Sequence, residues 1–238
     1  MRSTIAPTAV FDLDGTLADT APDLVATLNA ILGREDIPPL PAEQARTMIG
    51  AGARALVERG FAAAGLEIAP GRLDELYRDF LVHYAANICV ETRLYPGVAE
   101  ALDRLQMAGF GLAVCTNKVE AHAVQLLDVL GVAGRFGAIC GRDTFAYFKP
   151  DPRHLTLTVE RAGGDARRAV MVGDSRTDIV TAQAAGVPVV AVPFGYTDTP
   201  VEDLGPDAVI THFDELFDAV QKLAGSIMPT RAVRYGQA

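Results

Sequence analysis

The sequence predicts an α/β fold, in which a Rossmann-like parallel sheet core has helices on both faces and carries an inserted small α-helical cap domain. Three observations predict this fold. Short apolar runs alternate with helical patterns along most of the chain, which is typical of a parallel sheet covered on both sides. Glycine directly follows several of the helical patterns, as expected where helices end. One long stretch between the first two apolar runs has helical patterns only.

The apolar runs are predicted to be buried strands. The first covers residues 9–11 and ends at Asp12. The later runs lie at 111–115, 137–140, 169–172 and 188–192, with a weaker one at 208–210. Between them, apolar residues recur at three- and four-residue spacing, for example over 98–105 and 119–130. This spacing predicts helices that each place one face on the sheet.

The stretch from 20 to 92 is predicted to be the helical cap, because it is far longer than an ordinary connection between strands. Thr20 and Asp23 have the spacing of a capping box that would open its first helix, and another cap helix is predicted at 73–84. Residues 1–19 and 93–225 then form the Rossmann-like catalytic core. The last segment, 226–238, lacks periodicity and is predicted to be a flexible tail.

Composition and charge argue against several classes of function. The 238 residues carry a formal net charge of -9, which disfavours binding to nucleic acid or to an anionic membrane. No apolar run is long enough to span a bilayer, and the N-terminus lacks the apolar stretch of a secretory signal. The three cysteines have neither disulfide-framework nor zinc-site spacing. We therefore expect a cytoplasmic protein; the sequence carries no signal for an oligomeric state.

Polar residues follow several of the predicted strands. In an open parallel sheet, ligands bind beyond the carboxyl ends of the strands. Segments 12–16, 116–118 and 173–178 stand at three such ends, and Lys149 opens the helix between the third and fourth strands. These four segments are therefore expected to converge at one edge of the sheet.

The residues in these segments suit the transfer of a phosphoryl group. Asp12 and Asp14 leave an extended chain on the same face. Two like unit charges about 4 Å apart repel by about 4 kcal/mol at intermediate dielectric, so two carboxylates and a phosphate repel one another strongly. A hard cation such as Mg²⁺ relieves this repulsion. Asp174 and Asp178 add negative charge for the cation, although Asp178 also has the spacing of a helix cap.

Phosphate needs positive charge and hydrogen-bond donors as well. Lys149 can neutralise a phosphate and a carboxylate nucleophile together, and the Thr116 hydroxyl can donate to a phosphate oxygen. Either residue alone has an ordinary structural alternative: Lys149 as a solvated loop lysine and Thr116 as a β-branched residue leaving the sheet. Their positions near the predicted strand ends favour the functional interpretation.

The ordered motifs FDLDGTLADT, VCTNK, FKPDP and VGDSRTD resemble those of the haloacid dehalogenase superfamily. The resemblance implies a phosphatase in which Asp12 is the nucleophile and forms an aspartyl phosphate, while Asp14 acts as general acid and then as general base. The residues implied for phosphate are Thr116, Asn117 and Lys149. Those implied for Mg²⁺ are Asp12, the backbone carbonyl of Asp14, Asp174 and, in a supporting role, Asp178.

The segments TNK, GRDT, GDS and FGY are more narrowly similar to those of phosphoglycolate phosphatases. This similarity implies a small phosphorylated metabolite as partner, with hydrolysis of 2-phosphoglycolate to glycolate and phosphate. The bulky segment FAYF before Lys149 departs from the pattern and bears on substrate choice. The alternatives are a phosphosugar mutase, a pyrophosphatase or phosphatase of another small phosphoester, and a non-catalytic binding module.

The predicted cap contains one candidate for binding the substrate. The segment 50–53 is interpreted as a cap loop that faces the site, and the neighbouring Arg54 could hold a substrate carboxylate through a bidentate contact. The alternative is a solvated surface arginine. The four histidines lack metal-ligand spacing and are expected to be surface or packing residues.

Overall fold

The structure is a computed structural model that describes residues 5–197 and 199–227, without the side chains of residues 226 and 227. Its strands are β1 Thr8–Phe11, β2 Ala18–Asp19, β3 Arg93–Leu94, β4 Gly111–Cys115, β5 Ala138–Cys140, β6 Ala169–Gly173, β7 Val189–Ala191 and β8 Ala208–Val209. Its α-helices are α1 Ala21–Arg34, α2 Ala42–Arg46, α3 Ala53–Ala63, α4 Pro70–Ala86, α5 Val98–Met107, α6 Glu120–Val129, α7 Pro152–Arg161, α8 Arg176–Ala185 and α9 Leu216–Ile227.

Six of the strands form one parallel sheet in the order β5-β4-β1-β6-β7-β8. Successive residues of β1 belong to two separate apolar clusters: Ala9 and Phe11 to one, and Val10 to the other. Because side chains alternate across a strand, both faces of the sheet are covered, which explains why its strands read as continuous apolar runs. The predicted α/β fold is confirmed.

The sheet order brings the polar segments to one edge. β1 lies between β4 and β6, and all three strands run in the same direction. The residues that follow them, Asp12, Thr116 and Asp174, therefore leave neighbouring strands at the same end. The sheet continues from β1 in both directions, through β4 to β5 on one side and through β6 and β7 to β8 on the other. A crevice for a ligand is expected at the carboxyl ends of the strands where the strand order reverses in this way.

Four helices, α1 to α4, lie between β2 and β3, and we call them the cap helices. The two short strands pair antiparallel, with Ala18 opposite Leu94 and Asp19 opposite Arg93. The chain thus enters and leaves the cap helices through one narrow ribbon. Side chains such as Leu28 and Phe80 are fully buried in the apolar cluster that also covers one face of the sheet. The domain boundaries predicted at 20 and 92 stay a prediction.

The capping box predicted for Thr20 and Asp23 is wrong. Thr20 makes no side-chain capping bond to α1, and its hydroxyl donates instead to Asp14 at 2.7 Å. The Asp23 carboxylate accepts from the backbone N–H groups of residues 90–92 and from the Thr92 hydroxyl. The returning end of the cap segment supplies these donors, and local sequence spacing cannot reveal them. Asp23 therefore fastens the end of the cap segment to its beginning.

The C-terminal part of the chain differs slightly from expectation. Helix α9 continues through Ile227, two residues into the segment 226–238 that was predicted to be a flexible tail. The remainder of that segment lies outside the described residues. Within the described ranges, no helix is both long and apolar enough to cross a membrane.

Candidate active site

Three carboxylates converge at the sheet edge. Asp12 follows β1, Asp174 follows β6, and Asp178 lies in the first turn of α8. All three are buried, and each offers an oxygen within 4.8 Å of the others. The structure thus brings together three of the predicted metal ligands, while the side chain of Asp14 stands outside the cluster; its predicted contribution was the backbone carbonyl.

Lys149 is the cation nearest to these carboxylates. Its Nζ lies 2.9 Å from Asp12 Oδ1 and 2.6 Å from Asp178 Oδ1, and only 1% of its side chain is exposed. Burial opposes the lysine charge, but the two carboxylates outweigh it and hold the pKa of Lys149 above its ordinary value. Asp12 Oδ1 has this ion pair but no hydrogen bond of good geometry, so it remains open to a further cation.

The donor set fits a hard divalent cation. Burial raises the pKa of Asp12 to about 7, with contributions from Asp178 and Asp14, although Lys149 counteracts the shift. Burial and the neighbouring Asp178 and Asp12 likewise hold the pKa of Asp174 well above its usual range. These shifts indicate that one ammonium does not balance the buried carboxylates. Mg²⁺ prefers a few carboxylate oxygens, so the residues present suit it.

The Asp174 carboxylate is held by groups from two distant segments. The Thr16 hydroxyl donates to Oδ1 at 2.9 Å, and the Tyr196 backbone N–H donates to Oδ2 at 2.6 Å. A Cβ added at Gly195 would lie 2.1 Å from the same Oδ2, so only glycine lets the backbone approach this closely. These hydrogen bonds therefore fix the orientation of the Asp174 carboxylate.

Asp178 forms the capping box considered from the sequence and also belongs to the carboxylate cluster; its role toward a metal stays a prediction. Its Oδ2 accepts from the N–H and hydroxyl of Ser175, which completes a capping box at the start of α8. Its Oδ1 accepts from Lys149. Because both oxygens have partners within the protein, Asp178 holds Lys149 in place while adding charge to the cluster.

The predicted phosphate residues surround Asp12 in different ways. Thr116 and Asn117 line a narrow cavity of about 40 Å³ above Asp12. The Asn117 side-chain amide donates to the backbone carbonyl of Lys149 at 3.0 Å. The Asn117 amide N–H group therefore helps to position the loop that carries Lys149. Lys149 itself pairs with Asp12 and is not among the residues that line the cavity. Their roles toward phosphate stay a prediction.

Asp14 has a partner that the sequence reasoning did not single out. Its Oδ1 accepts from Lys118 Nζ at 2.7 Å, and the ammonium also lies 4.5 Å from the centre of the Tyr84 ring. Burial opposes the charge of Lys118, but Asp14 and Tyr84 outweigh it and raise the pKa of Lys118 above its ordinary value. The position of Lys118 within the TNK motif was the available signal.

The chain matches a family model described as haloacid dehalogenase-like hydrolase over residues 9–192. This range includes the four converging segments and the cap helices. The chain belongs to the haloacid dehalogenase-like hydrolases. The resemblance inferred from the ordered motifs is therefore confirmed.

Named relatives of this hydrolase cover nearly its whole length. It is 53% identical over 210 residues to a phosphoglycolate phosphatase of Mesorhizobium japonicum, covering 88% of this chain and 92% of the relative. It is 48% identical over 216 residues to a phosphoglycolate phosphatase of Agrobacterium fabrum, covering 91% of this chain and 93% of the relative. A crystal structure of a predicted phosphoglycolate phosphatase from Haemophilus somnus superposes with a TM-score of 0.84 at 31% identity, covering 90% of this chain and 98% of that one.

The structure does not bring Arg54 of the hydrolase into the cavity. Arg54 lies on α3 and pairs at 2.7 Å with Asp74 on α4, with 39% of its side chain exposed. The cavity is lined instead by its neighbours Gly50, Gly52 and Ala53. The contact predicted between Arg54 and a substrate carboxylate stays a prediction.

Tyr196 is a further residue of the hydrolase whose contacts the sequence reasoning missed. Its hydroxyl accepts from the backbone N–H groups of Thr20 and Ala21 at 2.6 and 2.8 Å, and it donates to Asp19 at 2.6 Å. Because its own backbone N–H holds Asp174, Tyr196 joins the base of the cap helices to the acidic cluster.

His154 of the hydrolase is fully buried and holds the Lys149 loop. Its Nδ1 accepts from the Lys149 backbone N–H at 3.2 Å, which leaves Nε2 to donate to the Gly141 carbonyl at 3.1 Å. Burial and the neighbouring Lys149 lower the pKa of His154 to about 4. The neutral imidazole is therefore part of the folded structure.

We expect His154 to make folding pH-dependent below neutrality. An unfolded histidine binds a proton near pH 6.5, whereas the folded one resists it until about pH 4, so stability falls as the pH drops through this window. Between about pH 7 and pH 5 the loss is about 2 kcal/mol. Urea unfolding of the wild type and His154→Asn should show their stability difference shrinking by that amount. An unchanged difference would contradict the prediction.

Proposed function

We propose that this hydrolase is a Mg²⁺-dependent phosphatase that converts 2-phosphoglycolate to glycolate and phosphate through an aspartyl phosphate on Asp12. The observation that carries the proposal is the placement of Asp12, which stands beneath the cavity within 2.9 Å of Lys149 and beside two further carboxylates. The names of the relatives support phosphoglycolate as substrate.

The reaction follows from the residues around the cavity. Lys149 and the Thr116 hydroxyl bind phosphate oxygens, which aligns phosphorus with Asp12. Asp12 attacks phosphorus while Asp14 gives a proton to the leaving oxygen of glycolate. Water then attacks the phosphorus of the aspartyl phosphate and gives a proton to Asp14, while the bond from phosphorus to Asp12 breaks and phosphate is released. The two carboxylates are suited to different tasks because Asp12 faces Lys149 and Asp14 faces Lys118.

The metal complements these residues. Asp12, the backbone carbonyl of Asp14 and Asp174 would hold Mg²⁺, with Asp178 behind them. When bound, Mg²⁺ supplies positive charge that offsets repulsion between the carboxylates and the phosphate.

A screen of small phosphate esters with and without metal tests the proposed function. We expect 2-phosphoglycolate to have the highest kcat/KM, and we expect EDTA to lower turnover by about 100-fold or more, with recovery on adding excess Mg²⁺. The relevant measurement is phosphate release at several substrate concentrations. A poor kcat/KM for 2-phosphoglycolate beside a good one for another ester would overturn the substrate assignment.

The same assay separates the remaining alternatives. A phosphosugar mutase would isomerise a sugar phosphate in the presence of its bisphosphate, with slow net release of phosphate. A pyrophosphatase would favour pyrophosphate over every ester. A non-catalytic binding module would show no metal-dependent turnover of any compound, including p-nitrophenyl phosphate.

A further inference from the structure

One wall of the cavity carries a guanidinium and a tyrosine hydroxyl that the proposed mechanism does not use. The cavity lies between the cap helices and the sheet edge, with Asp12 and Asp14 among its lining residues. It is also lined by Lys118 and Arg142 from the core and by Tyr84 from α4. We call these three residues the cationic wall.

Arg142 is half-buried and lies in the loop after β5. Its guanidinium stacks on the Phe148 ring at 4.7 Å, and its backbone N–H donates to the carbonyl of Lys118 at 2.9 Å. No carboxylate within the described part of the chain forms an ion pair with the guanidinium. A planar guanidinium beside a cavity and without a carboxylate partner is well suited to bind an anion in a bidentate manner.

Tyr84 adds a hydrogen-bond donor to the same wall. Its hydroxyl is buried and has no hydrogen bond of good geometry among the residues that the structure describes, and the neighbouring Lys118 ammonium is itself a donor and cannot accept its proton. Burial raises the pKa of Tyr84 to about 12, so the hydroxyl keeps its proton and can donate. A buried donor without an acceptor is unfavourable, and an anionic ligand in the cavity would provide that acceptor.

The cap loop at 50–52 rests against Arg142. A Cβ added at Gly52 would lie 2.9 Å from Arg142 Nη1 and 3.1 Å from the backbone carbonyl oxygen of Asn117. The guanidinium therefore occupies the junction between cap and core. An anion bound there would contact both parts of the protein and favour their closed arrangement.

We propose that the cationic wall binds a second anionic group of the substrate, a carboxylate close to the phosphate ester, and thereby selects anionic monoesters over neutral ones. The inference rests on the proposed phosphatase function and deepens it. It assigns to Arg142 the substrate contact that the sequence suggested for Arg54.

Two substrates of matched length test this selectivity. 2-Phosphoglycolate carries a carboxylate at the position where 2-hydroxyethyl phosphate carries a neutral hydroxymethyl group. We expect Arg142→Gln to lower the ratio of their kcat/KM values by about 10- to 100-fold, because a charge-assisted hydrogen-bonded contact is lost. Arg142→Lys, which retains the charge, should recover part of the ratio.

Other variants separate the role of Arg142 from general damage to the loop. Arg153 also stacks on an aromatic ring, that of Tyr147 at 3.6 Å, but it is exposed and does not line the cavity. Arg153→Gln should therefore keep the wild-type ratio of kcat/KM values for the two esters. Arg54→Gln should keep it as well. Gly52→Ala, which would displace the guanidinium, should lower it.

The outcomes distinguish this inference from the function on which it rests. If the wild type hydrolyses both esters equally well, or if Arg142→Gln keeps the wild-type ratio, the inference is overturned while the phosphatase proposal stands. A loss of selectivity in Arg54→Gln alone would also overturn it. If neither ester releases phosphate in the presence of Mg²⁺, the proposed function fails and the inference falls with it.

Discussion

Asp12→Asn should lower kcat for 2-phosphoglycolate by at least about ten-thousand-fold, because the amide cannot attack phosphorus to form the covalent intermediate. The substitution keeps the shape of the side chain. It also removes one of three buried carboxylates whose charges repel one another, so the fold should persist. Phosphate release and thermal unfolding, measured on the same preparation, check both parts of the expectation.

A matched substitution controls for the loss of a carboxylate in general. Asp165 caps the short turn before β6, at the edge of the sheet opposite the cavity. Asp165→Asn should leave kcat unchanged. Residual activity of Asp12→Asn within tenfold of the wild type would rule out Asp12 as the nucleophile.

Lys149→Met should destabilise the folded protein by about 3 kcal/mol or more at neutral pH, because it leaves Asp12 and Asp178 buried without their shared cation. Methionine retains most of the apolar length of the lysine side chain, so packing changes little. Activity should fall by about 100-fold or more with the loss of a positive charge near the phosphate. Urea unfolding, measured without added metal, gives the change in stability.

A double variant separates the electrostatic cause from a packing defect. Asp178→Asn added to Lys149→Met removes one of the two unpaired charges, so it should recover part of the lost stability without restoring activity. If the double variant is no more stable than Lys149→Met, the ion pairs do not account for the loss.

Most of the core strands were predictable because they are covered on both faces, whereas the edge strand β8, in which Val209 is exposed, gave only a weak signal. A strand buried on both sides needs apolar residues at every position, and such a run is visible without knowledge of its neighbours. The sheet rule then places residues at the carboxyl ends of strands together, and this was enough to nominate Asp12, Thr116 and Asp174. The apolar runs are a local property of the sequence, and the rule for parallel sheets supplied the rest of what was predicted.

The contacts that were missed join segments far apart in the chain. The Tyr196 hydroxyl binds N–H groups at Thr20 and Ala21, and Asp23 accepts from residues 90–92. Apolar spacing reports that a residue is buried, but it does not report which distant donor will face it. For the same reason the sequence offered Arg54 as the cap arginine, whereas the fold places Arg142 from the core beside the cavity.

The cations around the cavity have a consequence for how substrate is captured. The chain as a whole carries a formal charge of -9. Within the cleft, Lys118 and Lys149 are paired with carboxylates, so the positive charge offered to an anion at the cavity is that of Arg142. An approaching anion is repelled at long range and attracted only near contact. Physiological salt screens exposed charges beyond about 8 Å, which weakens the distant repulsion more than the attraction within the cleft. Encounter is therefore governed by diffusion to the mouth of the cleft rather than by long-range electrostatic steering.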